Sequence, residues 1–214
     1  MTTLPLPPDE LLTTTRSVRK RLDLTRPVPL ELVRKSLEVA LQAPTGGNSQ
    51  GWHWLVITDP ALRAGVATHY KRSWDAYRDG ARRTAAAYDD ADRRATQARV
   101  GDSAQYLADH LGDVPVLVLA CIEAAAELPA ENQAGLWGSL LPAAWSYQLA
   151  ARARGLGTAW TTLHLAYERE VGELLGIPAH VRQGVLLPTA YYTGETFRPA
   201  KRAPLDDVLH LDRW

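Results

Sequence analysis

The sequence predicts a single domain in which helices and strands are interspersed along the chain, and three observations carry that reading. Its 214 residues are 46% hydrophobic and 22% charged, enough for one sizeable core without disulfide or metal staples. Apolar residues recur at helical spacing in some stretches and run continuously over strand lengths in others. No internal repeat or low-complexity linker divides the chain, so residues 1–214 are read as one domain.

After a proline-rich start, Pro29 precedes a helix over Leu30 to Ala43, whose Leu30, Val33, Leu37 and Leu41 fall at helical spacing. Pro44 ends it, because the residue before proline avoids the helical region. Thr45-Gly-Gly-Asn-Ser-Gln-Gly51 is a loop by composition, and Trp52-His-Trp-Leu-Val-Ile-Thr58 is a strand rich in aromatic and branched residues. Asp59-Pro60 has the form of an N-cap followed by proline at the first helical position. Arg72 to Leu111, dominated by Ala, Arg, Asp and Tyr, reads as long exposed helix with a break expected near Gly101. Within the single domain, residues 66–111 are a helical excursion or a lid.

Val114 to Ile122 is continuously apolar, as a strand buried on both faces would be. Gln133 to Arg154 is a helix in which Pro142 removes one backbone donor, which frees hydrogen-bonding capacity near Gly138 and Ser139. Gly155 and Gly157 stop it. Thr158 to Thr162 is expected to be extended, Tyr167 to Leu175 a short helix closed by Gly176, and Gln183 to Tyr192 a strand whose Pro188 argues for a bulge or an edge. The apolar tail Val208-Leu-His-Leu-Asp-Arg-Trp214 is expected to dock on something.

Charge narrows the partners. Lysine plus arginine number 24 and aspartate plus glutamate 24, so no global field attracts polyanions, and neither nucleic acid nor an anionic membrane is expected as a partner. No apolar run approaches a membrane span and no signal-like N-terminus is present, which predicts a cytoplasmic protein. Cys121 lies inside the apolar strand and is read as an inert buried thiol. GxGxxG, Walker A and HExxH patterns are missing, and the six histidines lack ligand spacing. His53 reads as a structural histidine, whereas His164 draws attention by its place after Thr161 and Thr162.

Two local features point to an anionic ligand with an amide-like edge. Arg16-Ser-Val-Arg-Lys-Arg21 concentrates four cations and a hydroxyl in six residues, the donor set that a phosphate dianion takes up, although a solvated basic turn has the same composition. The glycine loop carries Asn48 and Gln50, whose carboxamides match alternating acceptors and donors, while its glycines let backbone approach a flat ring; an ordinary turn uses the same residues. A second cationic cluster, Arg198-Pro-Ala-Lys-Arg-Ala-Pro-Leu205, either completes a phosphate site or solubilises a loop.

Arg16-Ser-Val-Arg19, the helix to Ala43 and Ala43-Pro-Thr-Gly-Gly-Asn-Ser-Gln-Gly-Trp-His-Trp54 together resemble the N-terminal third of the nitroreductase family. Gly138-Ser-Leu-Leu-Pro-Ala-Ala-Trp145, Leu149-Ala-Ala-Arg-Ala-Arg-Gly-Leu-Gly-Thr158 and Arg202-Ala-Pro-Leu205 resemble its later landmarks, in the same order. The resemblance implies an α+β fold with a central mixed, mostly antiparallel sheet flanked by helices, in an intertwined homodimer with FMN at the subunit interface. It implies that Arg16, Ser17, Arg19 and Arg202 hold the phosphate, and that Pro44, Thr45, Gly46, Asn48 and Gln50 line the ribityl chain and ring. Thr161, Thr162 and Leu163 fall near the flavin N5 edge, with Ser139 as an addition. Thr15 departs from the arginine found there in many relatives, which shifts weight to Lys20, Arg21 or Lys201.

The activity implied is that of an oxidoreductase in which NADH or NADPH and a small-molecule acceptor, a nitroaromatic or quinone, exchange a hydride through flavin N5 in ping-pong order. No protein side chain is expected to be catalytic, because the cofactor carries the chemistry. The alternatives are a flavin-dependent biosynthetic dehydrogenase or oxidase, and a non-catalytic protein that sequesters flavin.

Overall fold

Residues 3–125 and 127–214 are described by a computed structural model of the chain. The helices are α1 (Pro8–Thr14), α2 (Leu30–Ala40), α3 (Pro60–Ala86), α4 (Ala91–His110), α5 (Ala134–Ala153) and α6 (Glu168–Leu175). The strands are β1 (Trp52–Ile57), β2 (Val116–Glu123), β3 (Leu156–Thr158) and β4 (Val181–Tyr191), in the spatial order β1-β2-β4-β3. All three strand pairings are antiparallel, and among the described residues the parallel contribution is the isolated bridge of Ser17 to Thr158.

The continuous apolar run of β2 follows from its position. Leu117, Leu119 and Cys121 face one layer with Val66, Tyr70, Leu107, Leu111 and Val171, while Val116, Val118, Ala120 and Ile122 face a second layer with Val33, Leu140, Ala144 and Tyr147. Side chains alternate across a strand, so only a strand covered on both faces needs both sets apolar. Burial pushes the Cys121 thiol up to about 12, which keeps it protonated and unreactive.

Several expectations shift in ways that local chemistry explains. Helix α2 stops at Ala40, and Leu41 to Ala43 form turns ahead of Pro44. The break in the long helical stretch falls between α3 and α4, before Asp90, whose side chain accepts the Arg93 N–H at 2.7 Å, and Gly101 lies inside α4. A cap satisfies an orphan donor, whereas an interior glycine costs only about 1 kcal/mol. Asp59 caps α3 as expected, accepting the Leu62 N–H at 2.9 Å.

Pro188 sits in the middle of β4, between β2 and β3, and neither at an edge nor in a bulge; the irregular register lies between Ala120 and Cys121. Ala159 donates to the Pro188 carbonyl at 3.1 Å, but Pro188 has no N–H to return. The β3 ladder therefore ends at Thr158, and pairing resumes where Thr161 and Leu186 exchange both backbone bonds. The expected extended run over Thr158 to Thr162 is interrupted by this missing donor. No helix among the described residues is long and apolar enough to cross a membrane. Leu205, Val208, Leu211 and Trp214 of the tail are exposed.

Candidate flavin site

The basic segment after α1 is tied to the chain that follows β3. Val18 donates its N–H to the Thr158 carbonyl at 2.7 Å, and the Ser17 hydroxyl accepts the Trp160 N–H at 3.1 Å. An oxygen that already accepts has its own O–H free to donate. Arg16 and Arg21 reach the C-terminal segment: Arg16 Nη1 bonds the Arg198 carbonyl at 2.9 Å, and Arg21 bonds the Thr193 and Thr196 carbonyls at 2.6 and 2.9 Å.

Between these elements lies a cavity of about 380 Å³ lined by Arg16, Ser17, Val18, Arg19, Arg21, Thr196, Phe197 and Arg198. Four arginines and two hydroxyl residues, Ser17 and Thr196, line it, and among the described residues no carboxylate does. Arg19 is largely desolvated, and that burial pulls its guanidinium below the ordinary value. Its described hydrogen bond is a long one, 3.4 Å to the Ser103 hydroxyl. Arg19 is half-buried with no carboxylate beside it in the lining, and an anion would favour its charged form, so the donor set fits a phosphate. Lys20 and Lys201 do not take part, being paired with Asp102 and Asp92.

Arg19 also lines a second, larger cavity of about 820 Å³. Trp160, Thr161, Thr162 and Leu163 lie on one side of it, and Tyr70, Trp74 and Tyr77 of α3 with Val100, Ala104 and Gln105 of α4 on another. Thr161 is buried and its hydroxyl bonds the Tyr70 phenol at 3.1 Å, while burial raises the Tyr70 pKa. His164, next in the chain, is fully buried with neither ring nitrogen hydrogen-bonded; desolvation holds it down to about 4, so it is neutral at pH 7.

The glycine loop lies elsewhere. Gly46 donates its N–H to Ser139 Oγ at 3.0 Å, and the Ser139 hydroxyl in turn donates to the Gly135 carbonyl at 2.8 Å. The loop is pinned by the Ser139 side chain, whose hydroxyl accepts from Gly46 and donates to the carbonyl of the preceding turn. Gly47, Asn48 and Gln50 have φ of 58°, 54° and 51°, and the two non-glycine residues there cost roughly 1–2 kcal/mol each. Gln50 donates its side-chain amide to Asn48 Oδ1 at 3.1 Å and its backbone N–H to Thr45 Oγ1 at 3.1 Å. Pro44, Gly46, Asn48 and Gln50 are exposed, and none of Pro44 to Gln50 lines either cavity.

One chain therefore gathers Arg16, Ser17, Arg19, Thr161, Thr162 and Leu163, and keeps Pro44, Thr45, Gly46, Asn48, Gln50 and Ser139 apart. The reason is α5. Ser139 anchors the loop near its start, while Gln148, nine residues later, holds Thr158 at 2.7 Å, a separation of roughly 13 Å along a helix rising ~1.5 Å per residue. Arg202 lies outside the smaller cavity, exposed, with its guanidinium bonded to the Lys201 carbonyl at 3.3 Å. Arg198 lines the smaller cavity. Residues that sequence reasoning missed are Thr196 and Phe197 in the smaller cavity and Tyr70, Trp74 and Gln105 in the larger one. Tyr70 and Trp74 are four apart on α3, a spacing that could have marked an inward face.

The chain matches the sequence model described as the nitroreductase family over residues 12–191. It belongs to that family. It is 26% identical over 210 residues to a Methanothermobacter thermautotrophicus protein named as a candidate NADH dehydrogenase/NAD(P)H nitroreductase, across 96% of this chain and 86% of the relative. It is 29% identical over 195 residues to an iodotyrosine deiodinase of Thermotoga neapolitana, across 91% of each. A crystal structure of oxidized iodotyrosine deiodinase bound to FMN and 3-iodo-L-tyrosine superposes with a TM-score of 0.70 at 23% identity, covering 96% of this chain and 98% of that one, a likeness of fold. The α+β reading is borne out, and the family is one of FMN-dependent oxidoreductases using NAD(P)H.

Proposed function

We propose that this chain binds FMN with its phosphate in the cavity of Arg16, Ser17, Arg19, Arg21 and Arg198 and its ring against Trp160 to Leu163, and works as an NAD(P)H-dependent reductase of aromatic acceptors. The observation that carries the proposal is Arg19, a desolvated guanidinium that lines both cavities and has only the Ser103 hydroxyl as a described hydrogen-bond partner. An anion fits one side of it and a flat, electron-accepting edge the other.

Bound FMN supplies hydride transfer at its N5. The residues of the chain hold and orient. Ser17, with its acceptor site filled by Trp160, offers its O–H to the phosphate; Arg16 and Arg21, braced on carbonyls of residues 193–198, keep their remaining donors in place. Thr161 is fixed by Tyr70, so the backbone of the Trp160 to Leu163 segment is presented in one conformation. The larger cavity serves reductant and acceptor in turn, a ping-pong order. In this reading the chain acts as a homodimer: Pro44, Thr45, Gly46, Asn48 and Gln50, held off the site by Ser139, come from the second subunit, and the exposed tail reaches across to it.

The test is anaerobic mixing of the flavin-loaded protein with NADH or NADPH, followed in the visible flavin band. Bleaching by one of them is expected. A flavin that stays oxidised with both overturns the reductase reading and leaves the dehydrogenase and sequestering alternatives.

A further inference from the structure

The larger cavity differs in character from the phosphate cavity. Trp74 is locked in place, its indole N–H donating to Gln105 Oε1 at 2.8 Å while the Gln105 amide is held by both Asp109 oxygens at 2.9 Å. Tyr77 lies beside it at 6.0 Å between ring centroids. Ala81, Ala98, Val100 and Ala104 add apolar lining to the same cavity. A slot with rigid aromatic walls accepts flat rings at low entropic cost.

The charges on that lining do not balance. Asp102 is neutralised by Lys20, and Arg78 by Asp75 and Asp79 at 3.4 and 3.5 Å. Arg19 belongs to the flavin site proposed above. Arg94 remains: its guanidinium bonds the carbonyls of Tyr88 and Asp89, and among the described residues no carboxylate lies within ion-pair distance of it. Asp90, which acts on Arg94 electrostatically, is exposed like Arg94 itself and already accepts the Arg93 N–H as the cap of α4. Carbonyl partners fix the direction of a guanidinium without cancelling its charge.

We infer that the acceptor is an aromatic compound carrying an anionic substituent, a carboxylate or an equivalent oxyanion, with its ring in the Trp74 slot and its anion on Arg94. This rests on the reductase reading and names the acceptor class for it. The end of α3 and the start of α4 thereby act as the part of the cavity that selects substrate.

The experiment compares 4-nitrobenzoate with 4-nitrobenzamide, which matches it in size but carries no charge, as acceptors for the flavin-loaded protein, together with the dissociation constant of each for the oxidised form. The nitrobenzoate is expected to be favoured about tenfold in both readouts, as one charge-assisted contact provides. The ratio should fall towards one in Arg94→Gln, return in Arg94→Lys, and be unchanged in Arg169→Gln, a residue of α6 whose side chain is 80% exposed and lies on neither cavity. Equal use of the two acceptors, or a preference that survives Arg94→Gln, overturns the assignment of Arg94 while the reductase reading stands. Failure of NAD(P)H to bleach the flavin removes both.

Discussion

The Ser17 hydroxyl accepts the backbone N–H of Trp160 at 3.1 Å across 143 residues of sequence, so one side chain fixes both the phosphate cavity and the first residue of the segment beneath the larger cavity. Ser17→Ala removes the proposed phosphate donor and leaves the Trp160 N–H without its partner. FMN affinity is expected to fall by about 10- to 100-fold, the worth of a hydrogen bond to a charged group, read by titration of flavin fluorescence. Unchanged affinity would place the phosphate elsewhere.

The split between the cation cluster and the glycine loop gives a complementation test. Arg19→Ala and Asn48→Ala homodimers should each lose FMN. Unfolded and refolded together, they should regain about a quarter of the wild-type binding sites, because in a two-fold symmetric dimer each mixed pair rebuilds one intact site and random pairing makes half the dimers mixed. No recovery would mean that both groups act within one chain.

His164 sets a pH dependence. Its folded value is about 4 against 6.5 for the free group, through burial. The unfolded chain therefore takes up the proton first as pH falls. Stability from keeping the ring neutral is complete above about 6.5 and is lost progressively between there and about 4, by about 3 kcal/mol in all. Urea midpoints measured across that range should slope, and His164→Leu should flatten the slope. A slope identical in the variant would assign it to other groups.

Gly184 lies in β4 against α5. A Cβ there would overlap Leu140 Cδ2 and approach the Ala120 carbonyl oxygen to 3.3 Å. Leu140 is fully buried and has little room to yield. Gly184→Ala is expected to destabilise by about 1–3 kcal/mol, visible as a lowered Tm; a neutral result would show that Leu140 has another rotamer available.

Much of the fold was legible because the signals are local. The double-sided apolar run of β2, the Asp59 cap and the αL glycine Gly176 closing α6 each depend on a few neighbouring residues, and each stands where the sequence put it. Gly101 misled because it is a weak breaker compared with the Asp90 cap. Pro188 misled because its missing N–H is harmless only opposite Ala159, where β3 has stopped, and that pairing is not visible from β4 alone.

By itself the sequence determined the residue types of the candidate site: a cationic cluster with a hydroxyl, a glycine and asparagine loop, and a chain of landmarks in family order. Only the tertiary structure decided which of them meet. Arg198 lines the smaller cavity and Arg202 does not, with Arg16 and Arg21 bonded to the carbonyls of Arg198, Thr193 and Thr196. Asn48 stays remote from Arg19 because Ser139 and Gln148 anchor their partners at separate turns of one rigid helix. Charge type is carried by each residue on its own, whereas neighbourhood depends on long-range contacts that no local pattern encodes.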